Sequence, residues 1–466
     1  MNLLKIKAPN TFIIISSIIV IVALLTWIIP SGEFDRVTKN NKNIVVPGTF
    51  HTIESNPQFV DDVLMAPING FILASEIIGF VLIVGGAFSV FQKTEAVDSA
   101  IKAIAHAHKK SKWVRMFLIP IFMTIFSLGG AVFGMGEEVI PFILIFVPMA
   151  LMLGYDSITG VAIPFVGAGA GFAGAFINPF TIGIAQGIAE IPLLSGIEYR
   201  IVVWFIVTIT AITFVSLYAA RVKANPSKSI IYELDERKRK DLKISDVEIK
   251  RSMDARHKIV LWIFLISMGA LVFGVLNYGW YIKEICGLFL ITGIIIGIAG
   301  KLSANEITSG FIQGAKDLLG TALVIALARG ILVIATDGRI IDPILNSLSS
   351  IINNLHPVLS SQAMFVIQSL INFFVPSGSG QAALTMPIMA PLGDLVGVSR
   401  QTAVLAFQFG DGFTNMIIPT SAITMGVLSL AEIPWEKWAR WMLPLQLIFF
   451  VLSLLLLIPP YLFNWQ

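Results

Sequence analysis

Nine stretches of this chain are apolar for long enough to cross a bilayer, which takes about 20 residues. They are residues 11–30, 68–91, 158–189, 200–219, 258–276, 281–299, 311–335, 402–430 and 438–461. Of the 466 residues 56% are hydrophobic and only 13% charged, against roughly 25% charged in ordinary soluble domains. Lipid offers the backbone no hydrogen-bond partner, so spanning segments must be helices or closed barrels. The expected fold class is an all-α polytopic membrane protein. The first apolar run follows Lys5 and Lys7, lacks a small-residue cleavage site, and reads as a retained helix. The single cysteine, Cys286, excludes an internal disulfide and reads as a small buried apolar residue.

Two more apolar regions, 113–153 and 361–396, are interrupted midway by "GMGEEVIP" and "PSGSGQAALTMP". Two of the spans are interrupted as well, by "GAGAGFAGAFINP" (167–179) and "GDGFTNMIIPTS" (410–421), and 311–335 is read as broken by Arg329. Gly and Pro disfavour helix. Irregular backbone at membrane depth survives only where it is buried in protein or lines a cavity. These interruptions therefore mark candidate sites, although glycines also serve close helix packing.

The interruptions recur in order. "GMGEEVIP" from Gly134 matches "GSGQAALTMP" from Gly378, "GAGF" from Gly169 matches "GDGF" from Gly410, Pro179 matches Pro419, and "AEIP" occurs at 189–192 and 431–434. Asp98 and Asp342 occupy matching places and are expected to cap or brace two amphipathic arm helices, 94–110 and 339–355. The pattern implies a duplicated unit. Residues 93–115 carry six Lys/Arg and their counterpart 337–360 carries one, Arg339. By the positive-inside rule the two units are inverted, with the N-terminus inside and the extra span 258–276 supplying the flip. The expected domains are a first unit, 1–220, with re-entrant hairpin 113–153 and broken helix 158–189. A cytoplasmic linker, 221–257, follows, and then 258–466 with hairpin 361–396 and broken helix 402–430. The stretch 221–258 holds 12 Lys/Arg and 7 Asp/Glu and reads as solvated, and 31–67 reads as an external loop. Inverted units with broken helices suit a secondary transporter.

Each hairpin tip pairs with one helix break. The first pair offers Gly134, Gly136, Glu137 and Glu138, with Gly169, Gly171, Asn178 and Pro179. The second offers Ser377, Gly378, Ser379, Gly380 and Gln381, with Asp411, Gly412, Thr414, Asn415, Pro419, Thr420 and Ser421. Exposed carbonyls and helix C-termini suit a cation such as sodium; helix N-termini suit a substrate carboxylate. Asn178 either offers its amide to a ligand or caps a half-helix. Intramembrane charges cost roughly 2.5–3.5 kcal/mol each on the insertion scale, so Glu76, Glu137, Glu138, Arg329 and Asp411 are functional by default, with Glu137 and Asp411 the strongest because they fall in the breaks. Glu76 and Arg329 equally suit internal charges satisfied by partners. His106 and His108 lie on a polar face and read as solvated. "GAGAGF" follows no soluble strand, so no nucleotide loop is present. Nothing points to an enzyme, and an ion gradient or exchange is the remaining energy source.

"WIIPSGEFDR" (27–36), "GGAVFGMGEEVIPF" (129–142), "GAGAGFAGAFINPF" (167–180), "ARGI" (328–331) and "GDGFTNMIIPTS" together resemble the YfcC family, within the four-carbon dicarboxylate anaerobic carriers of the ion transporter superfamily. The resemblance runs from Trp27 to about Pro434. It implies a homodimer in the cytoplasmic membrane, with a scaffold and an elevator-like transport domain holding two opposed hairpins. Sodium-coupled relatives carry Ser-Asn-Thr at each tip. Here stand Gly-Met-Gly-Glu and Ser-Gly-Ser-Gly-Gln, so a sodium site at the tips carries over by position only. No cofactor beyond a coupling sodium ion or proton is expected, and no nucleic acid. Three carboxylates at the tips and breaks, with no Lys or Arg, favour a cationic or zwitterionic substrate, or bound protons or sodium ions; the preferred substrate is an amino acid, basic ones included, in line with the family's description as basic amino acid antiporters. The alternatives are a sodium- or proton-coupled dicarboxylate or short-chain carboxylate symporter and, from another class, an ion channel or a non-transporting scaffold.

Overall fold

The computed structural model describes residues 11–39, 42–241, 253–350, 352 and 355–465. Helix α1 (Thr11–Leu25) leads into four short strands, β1 (Gly32–Glu33), β2 (Arg36–Lys39), β3 (Lys42–Val45) and β4 (His51–Thr52). Strand β1 pairs antiparallel with β4, and β2 with β3, Arg36 lying opposite Val45. Then come α2 (Val60–Leu73), α3 (Ser75–Lys93), the amphipathic α4 (Ala96–Lys110), α5 (Lys112–Phe133), a 3-10 turn (Glu137–Phe142) and α6 (Ile143–Met152). Helix α7 (Ser157–Ala173), a π-helical turn (Pro179–Gly183), α8 (Ile184–Ile188) and α9 (Ile197–Ala224) complete the first half.

The short helix α10 (Tyr232–Asp241) opens the second half, followed by α11 (Ala255–Tyr278), α12 (Ile282–Ala299), α13 (Ala304–Asp317) and α14 (Leu319–Asp337). After these run α15 (Ile341–Ser350), α16 (Pro357–Phe374), α17 (Gly378–Val396), α18 (Arg400–Thr414), α19 (Ala422–Leu430), α20 (Trp435–Leu456) and α21 (Pro459–Leu462).

Among the described residues eight helical segments are long and apolar enough to cross a membrane: α3, α5, α9, α11, α12, α14, α16, and α20 continued by α21. The set differs from the nine sequence spans. Helices α5 and α16, read as hairpin arms, qualify by length, whereas α1 and α7 are shorter apolar helices. The chain is nearly all helical rather than strictly so, because β1 with β4 and β2 with β3 pair as ribbons. Span 68–91 is split at Ala74, where φ is −97° and ψ 9°. Helix α2 packs along α14, while α3 packs along α12 and α13, so the bend lets one apolar run serve two neighbours. The break expected at Arg329 is absent. Helix α14 runs through it, and the run 311–335 is split instead at Leu318, the N-cap of α14, whose side chain is buried near Gly85. Arginine is a good helix former, so its charge alone breaks nothing.

Helix α5 packs along α7, and α16 along α18. Glycine permits the first contact: a Cβ on Gly171 would stand 1.8 Å from the Ser127 carbonyl oxygen, and one on Gly130 2.1 Å from that of Ala168. The ribbons are tied to α15, not left as free loop. Asp342, in its first turn, accepts from the Phe34 amide at 3.0 Å and pairs with Arg36 at 2.7 Å. Its sequence counterpart Asp98 is exposed in the first turn of α4.

The linker is not simply solvated. Residues 242–252 lie outside the described residues, but α10 is docked. Asp235, 2% exposed, accepts from the amide and hydroxyl of Ser157 at the start of α7 (2.8 and 2.5 Å). Lys238 donates to the Ala431 carbonyl just after α19 at 2.5 Å, and Arg239 to the Tyr155 carbonyl at 2.7 Å. One polar helix thus clasps the start of one broken helix and the end of the other.

His108 is likewise buried, 3% exposed, not solvated. Its Nε2 lies 3.0 Å from the Lys223 ammonium and 3.3 Å from the Tyr155 hydroxyl. Both can donate only if Nε2 accepts, so the ring is neutral. Burial, then Lys223 and Arg115, push its pKa from 6.5 down to about 4. The unfolded chain therefore binds a proton that the folded one refuses. The contribution of His108 to stability is expected to be full above about pH 6.5 and to fall as pH drops toward 4. Thermal unfolding of the wild type and His108→Gln across that window checks this: the variant should lose less stability on acidification.

Candidate functional site

The breaks lie a few residues beyond the glycine clusters. Helix α7 continues through Gly167, Gly169 and Gly171, and the chain leaves helix only at Gly174–Asn178. Helix α18 continues through Gly410, Asp411, Gly412 and Thr414, and the gap is Asn415–Ser421. Asp411 and Gly412 are therefore in a last helical turn, not in irregular backbone. Ser379, Gly380 and Gln381 are similarly in the first turn of α17, with Ser377 as its N-cap. Glycine is tolerated in a buried helix where a neighbour needs the space, and Pro179 and Pro419 mark the gaps better.

Each gap is supported by its own hairpin. The amides of Ile177 and Asn178 donate to the Ala131 carbonyl of α5 (3.2 and 3.1 Å). Asn178 then caps the restarting helix: its Oδ1 accepts from the Phe180 amide at 2.9 Å, with Pro179 at the first helical position. Gly134, which ends α5 at φ +72°, lies so close that a Cβ there would be 2.5 Å from this Oδ1. In the second half Asn372 of α16 donates to the Asp411 carbonyl (3.1 Å) and to the Thr414 hydroxyl (2.7 Å). Ser421 caps α19. The Trp435 and Trp438 indoles donate to the carbonyls of Ile417 and Met416 (2.8 and 2.9 Å). Pro419 and Thr420 are buried within this gap.

The two broken helices cross where they end. A Cβ on Gly412 would stand 2.5 Å from the Ala173 Cα, and one on Gly169 2.4 Å from the Met416 Sδ. The tips reach across. Gly136, at the first tip, lies against Ile423 of α19, and Gly378, at the second, lies against Thr181 and Asp411. Helix N-termini at Pro179, Gly378 and Ala422, with partial positive charge, and C-termini at Ala173 and Thr414, with partial negative charge, meet here.

Of the fifteen buried side-chain atoms without a partner among the described residues, seven belong to Arg200, Ser216, Glu436, Trp441 and Trp465, and eight belong to these same segments. The eight are Asn178 Nδ2, Thr181 Oγ1, Asn372 Oδ1, Gln381 Oε1, Gln408 Oε1, Asp411 Oδ2, Asn415 Oδ1 and Thr420 Oγ1. Most buried polar groups in proteins are paired, so such a concentration needs a reason. Asp411 stands out: it is 0% exposed, its Oδ1 accepts from Asn415 at 3.0 Å, and its Oδ2 has no partner.

The sequence candidates do not all converge. Glu138 is buried and accepts the Gly136 amide at 2.9 Å, within the tip itself. Gln381 turns into its own hairpin, donating to Gln368 at 2.7 Å. Gly171 serves the α5–α7 contact. Glu76 is exposed and bridges to Lys283 at 3.0 Å, so it is no buried charge. The first tip is not purely acidic either. Half-buried Glu137 has Arg329 and Tyr281 as electrostatic neighbours, without a direct ion pair. Thr181, Asn372 and Gln408 were missed; a lone amide in the apolar run "LINFFV" was the available signal for Asn372. A cavity of about 960 Å³ reaches Pro179 and Phe180 from the side of the ribbons, with Val45, Pro387 and Arg400 also in its wall.

The model of the DcuC family, C4-dicarboxylate anaerobic carriers, matches residues 8–461. The chain belongs to the DcuC family. It is similar to YfcC of Escherichia coli (strain K12), provisionally named a basic amino acid antiporter, at 38% identity over 93% of this chain and 92% of that one. An uncharacterised protein of Haemophilus influenzae is 29% identical, with 94% of both chains covered. Among solved structures, the YdaH transporter of Alcanivorax borkumensis overlays with a TM-score of 0.44 at 15% identity, covering 98% of this chain and 99% of that one. MtrF of Neisseria gonorrhoeae overlays at 0.42 and 14% identity, covering 97% and 95%. Overlaps that loose carry no weight here. Membership in the DcuC family makes this YfcC-like chain a multi-span membrane transporter.

Proposed function

We propose that this YfcC-like carrier is a secondary transporter whose substrate is a small amino acid, a basic one by preference. It alternates access by an elevator-type movement, driven by an ion gradient or by exchange. The observation that carries this reading is the set of unpartnered polar atoms around Asp411, where two interrupted helices cross. A carboxylate without a partner at membrane depth is costly; a substrate ammonium, a sodium ion or a proton would supply what it lacks. Helix N-termini at the same crossing suit the substrate's carboxylate. The provisional name of the Escherichia coli relative points to the same substrate class.

In this proposal the two halves are inverted units, the N-terminus is inside the cytoplasmic membrane, and α5–α6 and α16–α17 are re-entrant hairpins. The cavity at Pro179 then faces outside. The working form is a homodimer, and the coupling ion, if sodium, sits at the tips. No resident cofactor is required.

A second reading, a sodium- or proton-coupled dicarboxylate carrier, draws on the family's description and on Arg329 beside Glu137. Uptake of labelled arginine, ornithine and succinate into proteoliposomes separates the two. Saturable counterflow with arginine or ornithine is expected. Succinate transport alone would overturn the amino-acid reading, and absence of counterflow with all three would overturn both. Replacing sodium by choline at fixed pH then identifies the coupling ion.

A further inference from the structure

The arm helix α4 and the start of α5 meet at one residue, Ser111, whose hydroxyl caps α5 by accepting from the Val114 amide at 3.4 Å. The elbow makes a groove of about 400 Å³ lined by apolar side chains, among them Ile104, Ala107, Trp113, Phe117, Ile121 and Phe122. Trp113 and Phe117 stack with centroids 5.4 Å apart and planes at 9°. Trp113 is 69% exposed. A large indole left so exposed at the start of a long apolar helix fits the bilayer's interfacial belt.

The same elbow is strongly basic. Lys109, Lys110, Lys112 and Arg115 are exposed within seven residues, and none forms an ion pair among the described residues. From Ser99 to Gly136 there is no acidic residue at all. The inner face of α4 is spent on packing, through Val97, Ile101, Ala105 and His108. All four cations are exposed, and they adjoin in the chain the groove residues Ala107, Trp113 and Phe117.

We propose that this elbow is a binding site for one anionic phospholipid, its acyl chain in the groove along Trp113 and Phe117 and its headgroup phosphate among Lys109, Lys110, Lys112 and Arg115. A soluble anion would use the cations and leave the groove empty. A neutral lipid would use the groove and leave the cations unneutralised. An anionic phospholipid satisfies both. Lys and Arg side chains are drawn to an anionic lipid surface, and the long basic stems can extend toward the headgroup while their carbons cover apolar surface. The site is remote from the crossing of α7 and α18 and stands without the substrate assignment.

Native mass spectrometry of the purified full-length protein, given equal amounts of phosphatidylglycerol and phosphatidylcholine, tests it. Phosphatidylglycerol is expected to be retained at least tenfold over phosphatidylcholine. K109Q/K110Q/K112Q/R115Q should abolish that preference, and Ala107→Trp, which fills the groove, should reduce retention of both lipids with the charge intact. If the quadruple variant does not fold, the pairs K109Q/K110Q and K112Q/R115Q should each weaken the preference severalfold. Equal retention of the two lipids, an unchanged preference in the charge variants, or displacement of phosphatidylglycerol by inorganic phosphate alone would overturn the proposal.

Discussion

Asp411→Asn is expected to reduce substrate counterflow by at least about thirtyfold while leaving the protein as heat-stable as before, or more so. The replacement keeps the shape and the contact to Asn415 that Oδ1 makes at 3.0 Å. It removes an ionisable carboxyl group that is 0% exposed and whose Oδ2 has no partner. A buried unpaired charge works against folding, so neutralising it should not destabilise. Losing one member of a buried charge pair formed with a substrate costs about 2–5 kcal/mol, and every 1.4 kcal/mol is tenfold. Activity and stability should thus move in opposite directions. Counterflow in proteoliposomes and the unfolding midpoint in the same preparation check both. A variant that unfolds readily, or one that transports normally, would remove Asp411 from the site.

Gly412→Ala should damage the carrier through packing alone. The new methyl would stand 2.5 Å from the Cα and 2.6 Å from the Cβ of Ala173. Neither atom is the end of a flexible side chain, so α7 and α18 must part. Overpacking of this kind costs about 1–3 kcal/mol. Because the displaced backbone flanks both gaps, transport is expected to fall more than tenfold, together with a lowered unfolding midpoint. Gly320→Ala is the control. It has the same chemistry in a helix but meets nothing within 4 Å, and it should be neutral or slightly stabilising, since alanine is the better helix former. A Gly412→Ala protein with normal stability and transport would mean the crossing is looser than these distances say.

Much of the helical architecture was legible because long apolar runs have few other fates. The finer placement was not. The stretches 167–179 and 410–421 do contain the gaps, but only in their later parts, because a glycine inside a buried helix also marks where another helix comes close, as Gly171 and Gly412 do. Pro179 and the serine cap Ser421 are truer markers, since one fits a helix's first position and the other satisfies its first free amides. Arg329 misled in the opposite sense, by suggesting a break that helix propensity does not require. His108 and α10 look solvated in the sequence, as polar residues next to a membrane do; their burial depends on Tyr155, Lys223 and Ser157, which are remote in the chain. The unpartnered atoms of Thr181 and Gln408 had no sequence signal at all, because only the folded geometry shows which polar side chains lack a partner.

The crossed reach of the tips has a consequence for ancestry. Gly136 of the first half rests on Ile423 of the second, and Gly378 of the second rests on Thr181 of the first. Neither half by itself encloses its own gap. On the proposal that the two halves are inverted copies of one unit, a progenitor half as long would have needed a second copy lying head to tail beside it, each closing what the other left open. Fusion into one chain would then have freed the two copies to diverge, with carboxylates in "GMGEE" at one tip and hydroxyls in "PSGSG" at the other, since neither any longer had to match its partner.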